Sequence, residues 1–403
     1  MSAARGVALD PLLAWRAEFP ILEHTTYLVS NSLGAMPRTV PARLAEYTRR
    51  WAEEGVRAWG RGWWEMPVLV GDEIAPLIGA GAGEVAMVPN VTAAQALILS
   101  AIDFRTGRDT IVMTELDFPS VRYVTDALAA KFGARVVVVP SEDGISVGED
   151  AIIAAIDERT AVVAISHVLF RSAWVIDPAP IVRAAHARGA LVALDAFHSV
   201  GILPVDVKAI GADFLTGGVL KWLCGGPGGC FVYVAPSVRD RLAPALGGWQ
   251  GHARPFAFEP TMTPAPGIAR WLGGTPAIPA LYAATEGPRI IREAGIGAVR
   301  AKSERQTAAL IALADARGYP VSAPRTSSRR GGTVAFDVPH AYEVSRCLLE
   351  REIIVDYRPG AGIRVAPHFY TSDAELQLAV DAIEEIVESG DWQRHAGRAV
   401  VVT

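Results

Sequence analysis

The sequence predicts an α/β chain, with a mostly parallel but mixed β-sheet in a large domain and a smaller α+β domain after it. Three observations carry this. Short β-branched runs alternate with longer helical patterns over about residues 80–200. The strand-like runs are apolar on both faces, as strands of a parallel sheet covered by helices must be. After about residue 280 the pattern restarts with a long helical stretch followed by shorter alternating segments.

In chain order, EVAMVP (84–89), DTIVMTE (109–115), ARVVVVP (134–140), TAVVAISHV (160–168) and LVALDAF (191–197) read as strands, being short, β-branched and bounded by turn formers. TAAQALILSAI (92–102), VRYVTDALAAKFG (121–133), GEDAIIAAIDE (148–158) and IDPAPIVRAAHARG (176–189) lie between them with helical periodicity. ADFLTGG (212–218) and GGCFVYVAP (228–236) read as two further strands. They are close enough in sequence to be antiparallel neighbours or a crossover edge, so the sheet is expected to be mixed.

The segment from about residue 240 to 280 is irregular, rich in Pro, Gly and aromatics, and too apolar for a solvated linker. It is expected to line a site or a subunit contact. From Leu281 a long helical segment runs to about residue 318, followed by the strand GTVAFDV (332–338), a helix around EVSRCLLERE (343–352), the strand-like IIVDYR (353–358) and a last helix over 373–390. We divide the chain into an N-terminal segment (1–45) packing against the site and the small domain, a large domain (46–280) and a small domain (281–403).

A formal charge of −5 and a pI near 6.0 give no general attraction to phosphate backbones or anionic lipid, which argues against nucleic-acid and membrane partners. The first 20 residues lack the continuous apolar core of a signal peptide, and no later stretch runs about 18 apolar residues unbroken. The expected location is cytoplasmic. Cys224, Cys230 and Cys347 show no CxxC spacing and read as structural buried thiols.

The chemistry centres on LTGGVLKWLCGGPGG (215–229), where six glycines surround Lys221. A lysine confined between apolar residues and bare backbone loses some preference for its charged form, which frees the amine as a nucleophile. The glycines would let a bulky group approach the backbone. Asp195 closes an apolar strand in ALVALDAFHSVG, with His198 three residues on; ligands of open α/β sheets sit at such strand ends, although Asp is also a favoured helix cap. Thr92 stands where a strand gives way to a helix, suited equally to a phosphate and to capping. A confined lysine, a strand-end aspartate and a phosphate-ready helix start are what pyridoxal 5'-phosphate requires.

On these residues the chain resembles the aspartate-aminotransferase-type (fold type I) pyridoxal-phosphate enzymes of the class V branch, and within them its motifs are most similar to those of kynureninases. The resemblance covers nearly the whole chain through TYLVSNSLGAMPR (26–38), WGRGWWEMP (59–67), LDFPS (116–120), DAFHSVGILPVDV (195–207), LKWLCGGPGG (220–229), GWQGHARPF (248–256), GIARWLGGTPAI (267–278) and YRPGAGIRVAPHFY (357–370). It implies that Lys221 carries the cofactor and acts catalytically, that Asp195 serves the pyridine nitrogen, that Phe118 stacks on the ring, and that His198 lies near the phosphate. Thr92 and the indole N–H of Trp249 would contact the phosphate, and Thr275 would reach the phosphate of the neighbouring subunit in a homodimer. Arg364 would take the substrate carboxylate, with Asn31, Ser32 and Trp64 beside the substrate. Arg171 closes another predicted strand and either enters the site or forms a surface ion pair.

Two positions depart from the kynureninase pattern. Leu220 stands where those enzymes have a tyrosine before the lysine, and Val121 where they have an acidic residue. The implied activity is action on an L-amino acid by hydrolytic β–γ carbon–carbon cleavage or a related lyase reaction. The alternatives are class V transamination, racemisation or epimerisation, β-elimination, and non-catalytic pyridoxal-phosphate binding. A cysteine-desulfurase role is disfavoured, because Cys347 falls in a helical pattern and Cys224 in the glycine-rich turn.

Overall fold

The computed structural model describes residues 10–397; the first nine residues of the expected N-terminal segment and the last six of the expected small domain lie outside the described residues. Seven strands form one sheet: β1 (Val85–Val88), β2 (Thr110–Thr114), β3 (Arg135–Val139), β4 (Thr160–Ser166), β5 (Leu191–Asp195), β6 (Phe214–Gly218) and β7 (Cys230–Val234). Their spatial order is β1-β7-β6-β5-β4-β2-β3. Strands β2 to β6 pair in parallel, whereas β7 runs antiparallel to both β6 and β1. The two runs flanking the lysine loop are thus antiparallel neighbours, with Gly218 opposite Cys230.

Successive side chains of a strand point to opposite faces, and the sheet is apolar on both. Val112, Val163, Val192, Leu194 and Leu215 join one buried cluster. Their neighbours Ile111, Met113, Val162, Ala193 and Phe214 join a second. Helices α1 (Val91–Ser100) and α2 (Pro119–Phe132) pack into the second cluster through residues such as Leu97, Ile98 and Ala129. Helix α3 (Pro178–Ala187) packs into the first through Ile181 and Val182. The Asn90 side chain caps α1 by accepting from Ala93 N at 3.0 Å, so Thr92 is not the cap.

Farther along lie α4 (Ile296–Ala316), β8 (Val334–Phe336), α5 (Ala341–Glu350), β9 (Asp356–Arg358), β10 (Gly362–Val365) and α6 (Asp373–Ser389). The three strands form an antiparallel sheet in the order β9-β10-β8. Two details differ from the sequence reading. The long helical segment from Leu281 is broken at Gly295, whose φ of 83° ends the stretch Glu286–Ala294 before α4 begins. The expected strand 353–358 is divided: Ile353–Ile354 pairs in parallel with Thr26–Tyr27, and only Asp356–Arg358 joins the three-stranded sheet. Its partner β10 is four residues long and follows a glycine-rich turn, which hides it from periodicity.

The N-terminal segment is strapped to these later elements by charge. Arg16 donates to Tyr370 O at 2.7 Å and pairs with Glu375 at 2.8 Å, while Glu375 also completes the capping box of α6 with Ser372. The buried Lys302 ammonium sits 2.7 Å from Asp10 and donates to Phe369 O at 2.6 Å. Leu28 enters the apolar cluster formed by α4, α5, α6 and the three-stranded sheet. Among the described residues, no helix is long and apolar enough to cross a membrane.

Candidate active site

The carboxyl ends of β2, β4, β5 and β6 converge, which is where an open α/β sheet presents its ligand site. Asp195 is the last residue of β5, in register with Ser166 of β4 and Thr216 of β6. Its carboxylate accepts from Phe197 N at 2.9 Å. Lys221 follows β6 by a short turn and lays its Nζ 2.5 Å from His198 Nε2. The same amine lies 5.5 Å from the ring centre of Phe118 and 5.7 Å from that of Phe197. Phe118 is held in extended conformation at the start of α2 by Pro119 and meets Phe170 edge-on at 5.3 Å.

Burial dominates the electrostatics. It lowers the Lys221 ammonium to about 7, with the Asp195 carboxylate opposing the fall and Arg364 and Arg358 adding to it. It raises Asp195 to about 6, against the Phe197 N–H and the Lys221 charge. Burial thus shifts both groups toward their neutral forms, while the opposite charges of the pair hold each shift back. Burial, reinforced by the Lys221, Arg364 and Arg358 cations, pushes His198 well below the usual imidazole range. His198 is thus driven toward its neutral form beside the amine, its Nε2 in contact with the Lys221 Nζ.

Arg364 leaves β10 fully buried. It donates through NH1 to Phe170 O and through NH2 to Asp356, its cross-strand partner in β9. Its Nε is buried with no partner. A buried guanidinium with one orphaned donor, on an element that also touches the ring wall of the lysine pocket, suits a substrate carboxylate.

Part of the glycine frame is required by the packing of the protein itself. A Cβ on Gly217 would stand 2.3 Å from the Phe231 ring, and one on Gly225 would stand 2.7 Å from Val219 Cβ. These two glycines admit the close approach of protein side chains. The loop is gripped from outside as well: Gly34 N donates to Leu220 O at 2.7 Å, and a Cβ on Gly34 would lie 2.2 Å from Lys221 O.

The other expected residues divide. Asn31, 1% exposed, has neither amide atom partnered and lies three residues before Gly34; Ser32 is half-buried. Thr92 is exposed in the first turn of α1, and Thr275 lines a cavity of about 260 Å³ with Ala93, Gly273 and Gly274. Trp64 and Trp249 meet edge-on at 4.9 Å, with Phe256 against both. The Trp249 indole N–H, reserved by the sequence reading for a phosphate, donates instead to Pro255 O at 2.5 Å. Arg171 is exposed with its guanidinium over Phe170 at 5.4 Å, and no ion pair holds it among the described residues. Val121 is buried in the second core cluster and Leu220 is half-buried. All three thiols are free and buried, with Cys224 raised to about 12 by burial.

Several residues escape sequence reasoning. Asp117 accepts from Thr114 N and Ser166 N, each at 2.7 Å, tying the ends of β2 and β4 together beside Phe118. His368 Nε2 lies 2.8 Å from Trp222 O, and burial lowers its imidazole to about 3; it donates to the backbone right after Lys221. Phe197, Phe170, Asp356 and Arg358 complete the surroundings. Phe197, Arg358 and His368 sit inside quoted motifs, but only proximity in space singles them out.

The donor set fits pyridoxal phosphate. Asp195 is a nearly dry carboxyl group with a single backbone donor, the arrangement that a protonated ring nitrogen completes, and Lys221 offers an amine close to neutrality. Residues 26–373 match the class-V aminotransferase family, and the chain belongs to it. Within that family it is kynureninase-like: it is 34% identical over 407 residues to the kynureninase of Burkholderia pseudomallei, covering 97% of each chain. In fold it is similar to a cysteine desulfurase of Thermococcus onnurineus, with 22% identity, a TM-score of 0.82 and coverage of 96% of this chain and 100% of that one. It is also similar to C-DES, solved with glycine covalently linked to its PLP cofactor, with 20% identity, a TM-score of 0.83 and coverage of 91% and 98%.

Proposed function

We propose that the chain is a pyridoxal-phosphate enzyme acting on an L-amino acid in a kynureninase-like way, by hydrolytic β–γ carbon–carbon cleavage or a closely related lyase reaction. The observation that carries this reading is the Lys221 amine, buried against His198 and Phe118 and subject to the Asp195 charge, with the Nε of Arg364 left unpartnered. Pyridoxal phosphate, when bound, supplies an aldehyde for amines and a ring that takes up the electron pair released at the substrate's α-carbon.

The chain's own residues do the rest. Lys221 holds the cofactor and, once freed, moves the α-proton at its Nζ. Asp195 keeps the proton on the ring nitrogen, Phe118 covers the ring face, and Arg364 orients the carboxylate. Thr92, His198 and Thr275 are assigned to the phosphate, and Asn31, Ser32 and Trp64 to the substrate side.

A second reading keeps the cofactor and changes the outcome to transamination, racemisation or β-elimination. It is favoured by Leu220, which has no hydroxyl to pass a proton, and by Val121, which is committed to the apolar core.

We further propose a homodimer, in which Thr275 serves the neighbouring site, and a cytoplasmic location. The dimer is supported by Phe256 and Phe258, 62% and 74% exposed, beside Trp249 at 41%, an aromatic surface that a monomer would leave in water. The division at about residues 45 and 280 is retained as a proposal. The deciding experiment is an absorption spectrum of the cofactor-loaded protein before and after L-kynurenine, with anthranilate release followed in the same cuvette. A cofactor band with release supports cleavage; the band without release supports the second reading; no band overturns both.

A further inference from the structure

Asp356 is the most completely buried carboxylate near the site, at 0% exposure. It is not a substrate-binding group, since both its oxygens are already taken. Oδ2 accepts from NH2 of Arg364, and Oδ1 accepts from NH1 of Arg358. The first pairing is set by the fold, because Asp356 and Arg364 are register partners across β9 and β10. Arg358 is further fixed by donating to Tyr357 O at 2.8 Å. The NH1 of Arg364 is spent on Phe170 O.

We propose that Asp356 is a positioning residue that holds Arg364 and Arg358 side by side and turns Arg364 so that its Nε remains as the donor for the amino-acid carboxylate. This rests on the reading of Arg364 given above. The physical reason is that two guanidiniums next to a buried lysine repel one another. A single dry carboxylate between them removes that repulsion and fixes the plane of each fork. Without it Arg364 keeps its charge but not its orientation. Charge alone would predict the opposite effect, because an arginine freed from a competing carboxylate attracts a substrate carboxylate more strongly.

The test compares two probes on the cofactor-loaded protein: L-kynurenine and kynuramine, its analogue without the carboxylate, each titrated by the change in the cofactor spectrum. Asp356→Asn is expected to weaken L-kynurenine binding by roughly ten- to a hundredfold and to leave kynuramine binding within about twofold. Asp356→Glu, which keeps the charge at a different reach and guards against a folding failure of the first variant, is expected to recover part of the loss. Equal losses for both probes would mean a merely structural role and overturn the proposal. Unchanged or tighter L-kynurenine binding in Asp356→Asn would overturn it too. If the unmodified protein itself shows no preference for L-kynurenine over kynuramine, the Arg364 reading fails and the proposal falls with it.

Discussion

The Nζ of Lys221 and the Nε2 of His198 stand 2.5 Å apart, and burial moves both groups toward neutrality. A neutral imidazole can share a proton with a neutral amine without the repulsion of two cations.

The first consequence concerns pH. A lysine lowered from 10.5 to about 7 is charged below pH 7 and neutral above it, and only the neutral amine attacks an aldehyde. The rate at which cofactor-free protein captures pyridoxal phosphate should therefore rise about tenfold per pH unit up to pH 7 and level off above it. Stopped-flow absorbance measures this; a rise continuing to pH 10 would show an ordinary solvated lysine. Lys221→Ala should lose the covalent cofactor band altogether.

Asp195→Asn should separate stability from activity. The carboxylate is dry and has one backbone donor, so removing its charge relieves a desolvation cost in the cofactor-free protein. Its melting temperature is expected to stay level or rise, while turnover of the loaded enzyme falls by at least about a hundredfold. Thermal melts and steady-state rates on the same preparation decide it, and a drop in both would assign Asp195 to the structure.

Gly34→Ala places a Cβ 2.2 Å from Lys221 O and 2.8 Å from Cys224 Sγ. The loop cannot yield without shifting the lysine, so the change should cost about 1–3 kcal/mol and weaken cofactor binding. Gly60→Ala, which meets nothing within 4 Å, is the control and should stay within about 0.5 kcal/mol. Urea denaturation and cofactor titration give the two readouts.

Leu220→Tyr returns a hydroxyl beside Lys221 at a half-buried position. Anthranilate release from L-kynurenine should increase about tenfold or more. No increase, with the cofactor band intact, would favour transamination, racemisation or elimination.

Much of this was legible in the chain itself. Strands β1 to β7 announce themselves because a sheet buried on both faces demands unbroken apolar runs, and Lys221 and Asp195 stand out because a cation and a carboxylate are rare in such surroundings. Strand β10 was not legible, since four residues beside a glycine turn carry no period. Asp356 was not either: its role depends on a cross-strand partner eight positions away. The glycines around Lys221 show in the sequence that space is needed, but only the fold shows that Phe231 and Val219 fill part of it.

The amino-acid sequence by itself determined the α/β alternation, because period and residue type act locally, and its motifs carried the resemblance that points to the class of cofactor chemistry. The tertiary structure alone decided that His198 meets the amine, that Trp249 spends its N–H on Pro255, and that Asp356 clamps two arginines. Each of these depends on distance between segments far apart or turned toward one another by the fold, and no local pattern encodes that distance.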